Sequence, residues 1–149
     1  MDRFQELLWD LGELIEIPLH VDKNHACNLL LDDKLEIQLQ MDPHEENLII
    51  WAFLHEIPPG RFRENVLKDA LKVNGEFHPF GSLAYYEKKN MLILHNFVPA
   101  EALSGEKLME KLEKFIEEAE EWRSAIERGG TSPLKYNSAD AKPPPFMKQ

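Results

Sequence analysis

The stretch Leu35 to Met41 alternates without interruption, with Leu35, Ile37, Leu39 and Met41 apolar and Glu36, Gln38 and Gln40 polar between them. Successive side chains of a strand point to opposite faces, so this pattern specifies a strand with one dry face and one wet face. A chain that contains it must build a sheet and must cover the dry side. Ala26 to Leu31 reads as the preceding strand, joined through the tight turn Asp32-Asp33-Lys34. After the polar turn Asp42 to Glu46, Leu48 to Leu54 is a continuous apolar run. Its short length, β-branched pair and aromatics favour a strand in mid-sheet over a helix. Ile57-Pro58-Pro59 breaks that run.

The cover comes from three helical patterns. Over residues 2 to 16, Phe4, Leu7, Leu8, Leu11, Leu14 and Ile15 form one stripe behind the N-cap residue Asp2, and Trp9 falls off it. Ile17-Pro18 ends this helix, because the residue before a proline disfavours helical backbone. After Pro59-Gly60, Phe62, Val66, Leu67, Ala70, Leu71 and Val73 recur at helical spacings until Asn74-Gly75, a pair suited to a C-cap. Two strands follow, Gly81 to Tyr86 and Met91 to Val98, joined by the polar turn Glu87 to Asn90. Pro99 to Leu103 links them to a last helix from Gly105 to about Arg128, capped by Ser104. There Leu108, Leu112, Phe115, Ala119, Trp122 and Ile126 form a heptad-like seam between charged residues, and Gly129-Gly130 ends it. The order is helix, three strands, helix, two strands, helix. It predicts an α+β fold, an α-β-β-β-α-β-β-α sandwich whose antiparallel sheet carries packed helices. Residues 1–130 form the domain. From Thr131 to Gln149 the composition turns Pro-rich and polar, which predicts a flexible tail.

Charge narrows the possible partners. The net charge is −10 and the pI about 5.0. Such a surface repels phosphate backbones and anionic membranes, so neither nucleic acid nor membrane insertion is expected. The N-terminus carries acids too early for a signal peptide, and no apolar run approaches the ~20 residues of a membrane helix. The single cysteine, Cys27, cannot form an internal disulfide and reads as a core thiol in a reducing, cytoplasmic setting.

Motifs of catalysis do not emerge. His20, His25, His44, His55, His78 and His95 stand in no metal-ligand spacing, and there is no glycine-rich phosphate loop or nucleophile elbow. Asp42, His44, Glu45 and Glu46 crowd one turn, where hydrophilic residues serve the turn better than they would serve a cation. No cofactor, metal or catalytic residue is assigned, and an enzyme is not expected. What stands out is a surplus of apolar side chains at element edges: Trp9, Trp51, Phe77, Phe80, Tyr85 and Tyr86. Aromatics in such places either close a core or form an interface.

Three features together resemble a known family. They are the element order, the opening FQELLWDLGELIEIPL followed by ACNLLLDD, and the segment RFRENVLKDALKVNG leading to FGSLAYYEKKNMLILHNFVP. Over residues 2 to 128 the chain resembles the class I type III secretion chaperones, the family that includes the chaperones of Tir and YopE. The resemblance implies a cytoplasmic bacterial homodimer that binds the N-terminal segment of a secreted effector and keeps it extended for export. It implies a twofold interface on the central helix and its neighbouring strand, carried here by Phe62, Val66, Ala70, Val73, Leu83 and Tyr85. It also implies an effector-binding groove, for which the matching residues are Leu7, Trp9, Leu11, Leu29, Leu31, Ile37 and Leu39, with strand pairing at a sheet edge. Two alternatives stay open. One is an adaptor of the same fold that forms a heterodimer with a related chaperone. The other is a small hydrolase or ligand-binding domain using His95 or Glu45.

Overall fold

A computed structural model describes residues 2–76 and 80–133. The order of elements is the one expected: α1 (Arg3–Ile15), β1 (Ala26–Leu31), β2 (Leu35–Met41), β3 (Asn47–Glu56), α2 (Arg61–Asn74), β4 (Ser82–Tyr86), β5 (Met91–Pro99) and α3 (Gly105–Glu127). The five strands form one antiparallel sheet in the order β1-β2-β3-β5-β4. The apolar run of β3 is the central strand, as its composition required. It does not bury both faces evenly. Leu48, Ile50, Ala52 and Leu54 are buried, while Ile49 and Trp51 on the opposite face are only half-buried.

That asymmetry sets the architecture. Ile37 and Leu39 of β2, Leu48 and Ile50 of β3, and Leu92 and Leu94 of β5 share one core with Leu7 and Leu11 of α1, Val66 of α2 and Phe115 and Trp122 of α3. All three helices therefore cover the same side of the sheet. Burying each large apolar side chain here contributes roughly 1.5–3 kcal/mol. The other side carries no helix among the described residues. By register its rows run Gln38–Trp51–His95–Ser82 and Gln40–Ile49–Phe97, apolar in the middle and polar at the rim. Phe53, also on that side, is covered by the edge of the Tyr86 ring and by the Lys89 ammonium 5.1 Å from its centroid.

Helix α1 starts on a complete capping box, in which Asp2 accepts from the Gln5 amide at 2.8 Å and the Gln5 side chain accepts from the Asp2 amide at 3.0 Å. Its stripe is buried except at the last turn, where Leu14 is 42% exposed. Where α3 crosses α1, a side chain at Gly105 would have its Cβ 2.7 Å from the Cβ of Asp10, so the crossing requires glycine. The α3 seam is buried along its whole length. Arg123, nearly buried beside it, donates to Glu120 at 2.9 Å and to Glu127 at 2.6 Å, which keeps a partly desolvated cation paired. Past α3, the Thr131 hydroxyl donates to Asp69 of α2, and Ser132 and Pro133 are buried. Phe77, His78 and Pro79 of the aromatic segment, and the tail from residue 134 onward, lie outside the described residues. Cys27 is buried, and that burial pushes its thiol pKa up.

Two polar networks fix the loops. Asn90, in left-handed backbone at φ 53°, accepts from the Tyr85 hydroxyl at 2.7 Å and from the Arg63 guanidinium at 3.2 Å. Arg63 also donates to the Ile57 carbonyl and lies over the Tyr85 ring, so α2 is tied to the β4–β5 hairpin. In the β2–β3 turn, the Asp42 carboxylate accepts from the Glu46 and Asn47 amides, both at 2.9 Å. These bonds, the Glu46 amide first, hold its pKa below the usual aspartate range.

Two predictions follow from these networks. Tyr85→Phe is expected to lower the unfolding free energy by about 0.5–1.5 kcal/mol in urea titrations, the value of one hydrogen bond. Because the Asp42 pKa is depressed on folding, its stabilisation is full above the unfolded value of about 3.9 and is lost as pH falls through the lower folded value. Asp42→Ala should destabilise the protein at neutral pH and flatten the acid limb of a plot of urea midpoint against pH. An unchanged acid limb would show that the turn bonds do not couple to folding.

Candidate partner-binding surfaces

The residues expected to form a groove separate into two groups. Leu7, Leu11, Ile37 and Leu39 are buried at 0–1% exposure, inside the subunit's own core. Leu29 and Leu31 of β1 are half-buried and pack against that core. Trp9 alone is open, with 60% of its surface exposed. It lines a groove of about 580 Å³ with Leu8, Gly12, Glu13, Glu16, Ile17 and Leu19. The groove exists because the chain doubles back after α1. Glu16 adopts left-handed backbone at φ 58°, and the Ile17 amide bonds back to the Gly12 carbonyl at 3.2 Å. A Cβ on Gly12 would lie 2.9 Å from the Ile17 carbonyl oxygen, so glycine lets the returning segment sit this close. The floor is apolar, and Glu13 and Glu16 are exposed acids at its rim.

The six residues expected at a twofold interface also divide. Val66, Ala70, Val73 and Leu83 are buried at 0–5% exposure within the core, whereas Phe62 and Tyr85 are half-buried. The outward side of α2 presents Leu71, which is 71% exposed. Periodicity counts Leu71 among the apolar positions of this helix, but spacing alone does not say how wide a stripe the neighbours cover. The helix-free side of the sheet presents Phe97, at 56% exposure, and half-buried Ile49, Trp51 and Ile93. Nothing in the alternation of β5 marked Phe97 as open, since it depends on which side the helices choose.

Among the described residues no carboxylate pairs with His95, named above with Glu45 for the hydrolase or ligand-binding alternative. His95 is half-buried on the helix-free face, in edge contact with Phe97 and opposite Trp51 and Ser82 in the ladder. Burial alone lowers its pKa, and no carboxylate contributes. Glu45 sits in the β2–β3 turn with left-handed backbone. Among the described residues no three ligating side chains gather to hold a metal, and no helix is long and apolar enough to cross a membrane.

The exposed large apolar side chains Trp9, Leu30, Leu71 and Phe97 stand on four different elements, α1, β1, α2 and β5. The chain belongs to the Tir chaperone protein (CesT) family, whose model matches residues 6–123. No curated protein matches the sequence. Among solved structures, a chain of the HopA1–SchA chaperone–effector complex is 26% identical with a TM-score of 0.65, over 83% of this chain and 94% of that one. A chain of the ExsC–ExsE complex is 23% identical with a TM-score of 0.69, over 83% and 96%. A chain of the heterodimeric ExoU–SpcU complex of the type III secretion system of Pseudomonas aeruginosa is 17% identical with a TM-score of 0.55, over 81% and 92%. The last two show likeness of fold. The resemblance drawn from sequence to type III secretion chaperones is thus borne out.

Burial separates core from contact residues in a way that stability measurements can check. Leu7→Ala should cost about 2–5 kcal/mol, since it leaves a cavity beneath α1. Trp9→Ala should change stability by no more than about 0.5 kcal/mol. Comparable losses for the two variants would place Trp9 in the core.

Proposed function

We propose that this chain is a chaperone of type III secretion that binds the N-terminal segment of a secreted effector, holds it extended and delivers it for export, without catalysis of its own. The carrying observation is family membership over residues 6–123, together with a sheet and helices that keep the family's order. One structure it resembles, HopA1–SchA, is a chaperone–effector complex. The Trp9 groove accepts an apolar side chain from the effector, and a sheet edge pairs with its backbone. Main-chain pairing gives affinity with little demand on sequence, and side-chain pockets give selectivity. Of the seven groove residues, Trp9 makes direct contact, with Leu29 and Leu31 at the margin. Leu7, Leu11, Ile37 and Leu39 form the rigid support beneath. The acidic surface suits a polar or basic segment.

The protein acts as a homodimer in the bacterial cytoplasm, and the pairing surface lies on α2 and β4. Phe62 and Tyr85 reach that surface, while Val66, Ala70, Val73 and Leu83 hold the helix against the sheet from behind. Exposed Leu71 supplies the apolar contact that a helix-face interface needs.

The test is affinity capture of the tagged full chain from the native cytoplasm, followed by mass determination of the complex. Two copies of this chain with one larger secreted protein, lost when that protein's N-terminal region is deleted, is the expected result. Trp9→Ala should weaken the complex by about tenfold to a hundredfold, in keeping with a buried aromatic anchor. Recovery of a single small acidic relative would replace the homodimer with a heterodimeric adaptor. A monomer that captures nothing would overturn both.

A further inference from the structure

The Trp9 groove has an uncovered apolar floor and an acidic rim. Trp9 and Ile17 are 60% and 47% exposed along it. Glu13 and Glu16 stand at the rim, and among the described residues no lysine or arginine lines it. A ligand suited to this surface has an apolar body that loses little freedom on docking, with cations beside it. The chain carries such a segment itself. Residues 134–149 hold Lys135, Lys142 and Lys148 against the acid Asp140, in a chain whose net charge is −10. Lys142 and Lys148 flank Pro143, Pro144, Pro145, Phe146 and Met147. A proline run is restricted in advance to extended polyproline II backbone, which is the form that aromatic-lined grooves accept. Three prolines at about 3.1 Å each cover roughly 9 Å. At about 1.5 Å per residue, the rise from Trp9 to Glu16 along α1 is roughly 10 Å.

The place of the prolines along the sequence fits the distance to be crossed. The Gly130 amide turns back to the Ala125 carbonyl at 2.8 Å, the Thr131 hydroxyl donates to Asp69, and Pro133 is buried. The chain is thus held beside the last turns of α3 as far as Pro133. At the other end of that helix Gly105 packs against Asp10, the neighbour of Trp9. End to end, α3 is roughly 35 Å long at about 1.5 Å per residue. Extended chain starting at Pro133 covers roughly 36–40 Å by Pro144, at about 3.3–3.6 Å per residue. Leu134 and Tyr136 fall well short of the groove, and the proline run is the first apolar part of the tail that reaches it.

We propose that the segment Lys142 to Lys148 docks into the Trp9 groove of its own chain, with the prolines against the indole and the lysines beside Glu13 and Glu16. The helix-free face of the sheet is the poorer host. Lys89 already lies over Phe53 there, and its rows carry Gln38 and Gln40 in place of paired acids. Docking is a property of the chain alone. Its consequence rests on the chaperone function proposed above: the segment shields Trp9 until an effector displaces it, so loading is a competition and not the filling of an empty groove.

The experiment follows the indole N–H resonance of Trp9 in the isotope-labelled full chain, assigned by its loss in Trp9→Phe. Pro144→Gly combined with Phe146→Ala should shift this resonance and leave those of Trp51 and Trp122 in place. A synthetic peptide of residues 140–149 should move the variant's Trp9 resonance back toward its original position. It should bind the variant with a Kd near 1 mM and the unmodified chain about twofold more weakly, because a tethered segment competes at an effective concentration of about 1 mM. Glu13→Lys, an exposed site, should weaken the peptide, and Lys142→Glu in the peptide should recover part of the loss. A Trp9 resonance identical in the unmodified chain and the tail variant would overturn the proposal. So would a peptide that perturbs Phe97 and Ile93 in place of Trp9. Recovery of the original resonance on mixing the labelled variant with unlabelled unmodified chain would assign the segment to a second copy and overturn docking within one chain. No effector is present in any arm, so failure to capture one from cells leaves these outcomes untouched and the two readings fail separately.

Discussion

Everything in this fold depends on covering one face of a five-stranded sheet. Leu35, Ile37, Leu39 and Met41 present a continuous apolar row that a single helix is too narrow to shield. Three helices share the task, and their buried residues join those of the strands in one core. The demand fixes more than stability. It places α1 and α3 in contact, drives glycine into the crossing at position 105, and leaves α2 to cover the β4 side of the sheet. It also leaves the opposite face, with Trp51 and Phe97, without a helix among the described residues. The surfaces available for binding are therefore what remains once the core has been satisfied.

The tie between α2 and the hairpin shows how the cover is held in register. Asn90 can accept from both Arg63 and Tyr85 because its left-handed backbone directs the side chain back across the hairpin. Asparagine tolerates that conformation better than most residues, and its short amide supplies the acceptor. At the other end of α2, Asn74 plays a related part by bonding to backbone instead of side chain. Two asparagines thus fasten the helix at both ends to the strand that follows it. Neither bond contributes much singly, but each would leave buried or half-buried polar groups unmet if removed, and that cost is the larger quantity.

Most of the fold was legible because its signals are local. Alternation in β2, the capping residues Asp2 and Ser104, and the α3 seam each depend on a few neighbouring residues, and each appears where the pattern put it. The binding surface was much less legible. Leu7 and Trp9 are both apolar residues of one helix, yet one is 1% and the other 60% exposed, and only the arrangement of α3 and the sheet decides that. Trp9 was distinguishable because it breaks the stripe. Ile37 and Leu39 were not distinguishable from groove residues, since a wall and a floor have the same composition. Leu71 shows the converse, an apolar residue at helical spacing that the sheet does not reach. The Asn74 contact with Leu83 was hidden for another reason. Asparagine at a helix end reads as a cap, and its bond to a strand is a tertiary fact.

The open features lie on separate elements: Trp9 on α1, Leu30 on β1, Leu71 on α2 and Phe97 on β5. A folded partner needs a contiguous surface, because its own shape is fixed. An extended segment advances about 3.3 Å per residue and can meet separated points in turn. Ordering such a segment costs conformational entropy at every residue, so its affinity depends on several modest contacts and not on one large one. A rigid protein with dispersed anchors suits that kind of ligand. In the function proposed above, it would grip the segment at those anchors and leave the intervening residues free of sequence demands. Rigidity beneath the anchors matters as much as the anchors do. A soft core would let Trp9 and Leu30 shift toward each other's ligands and would add the protein's own ordering cost to that of the segment. In the function proposed above, the buried leucines under α1 and β2 would thus serve binding without touching the partner, by keeping the points of contact at fixed separation.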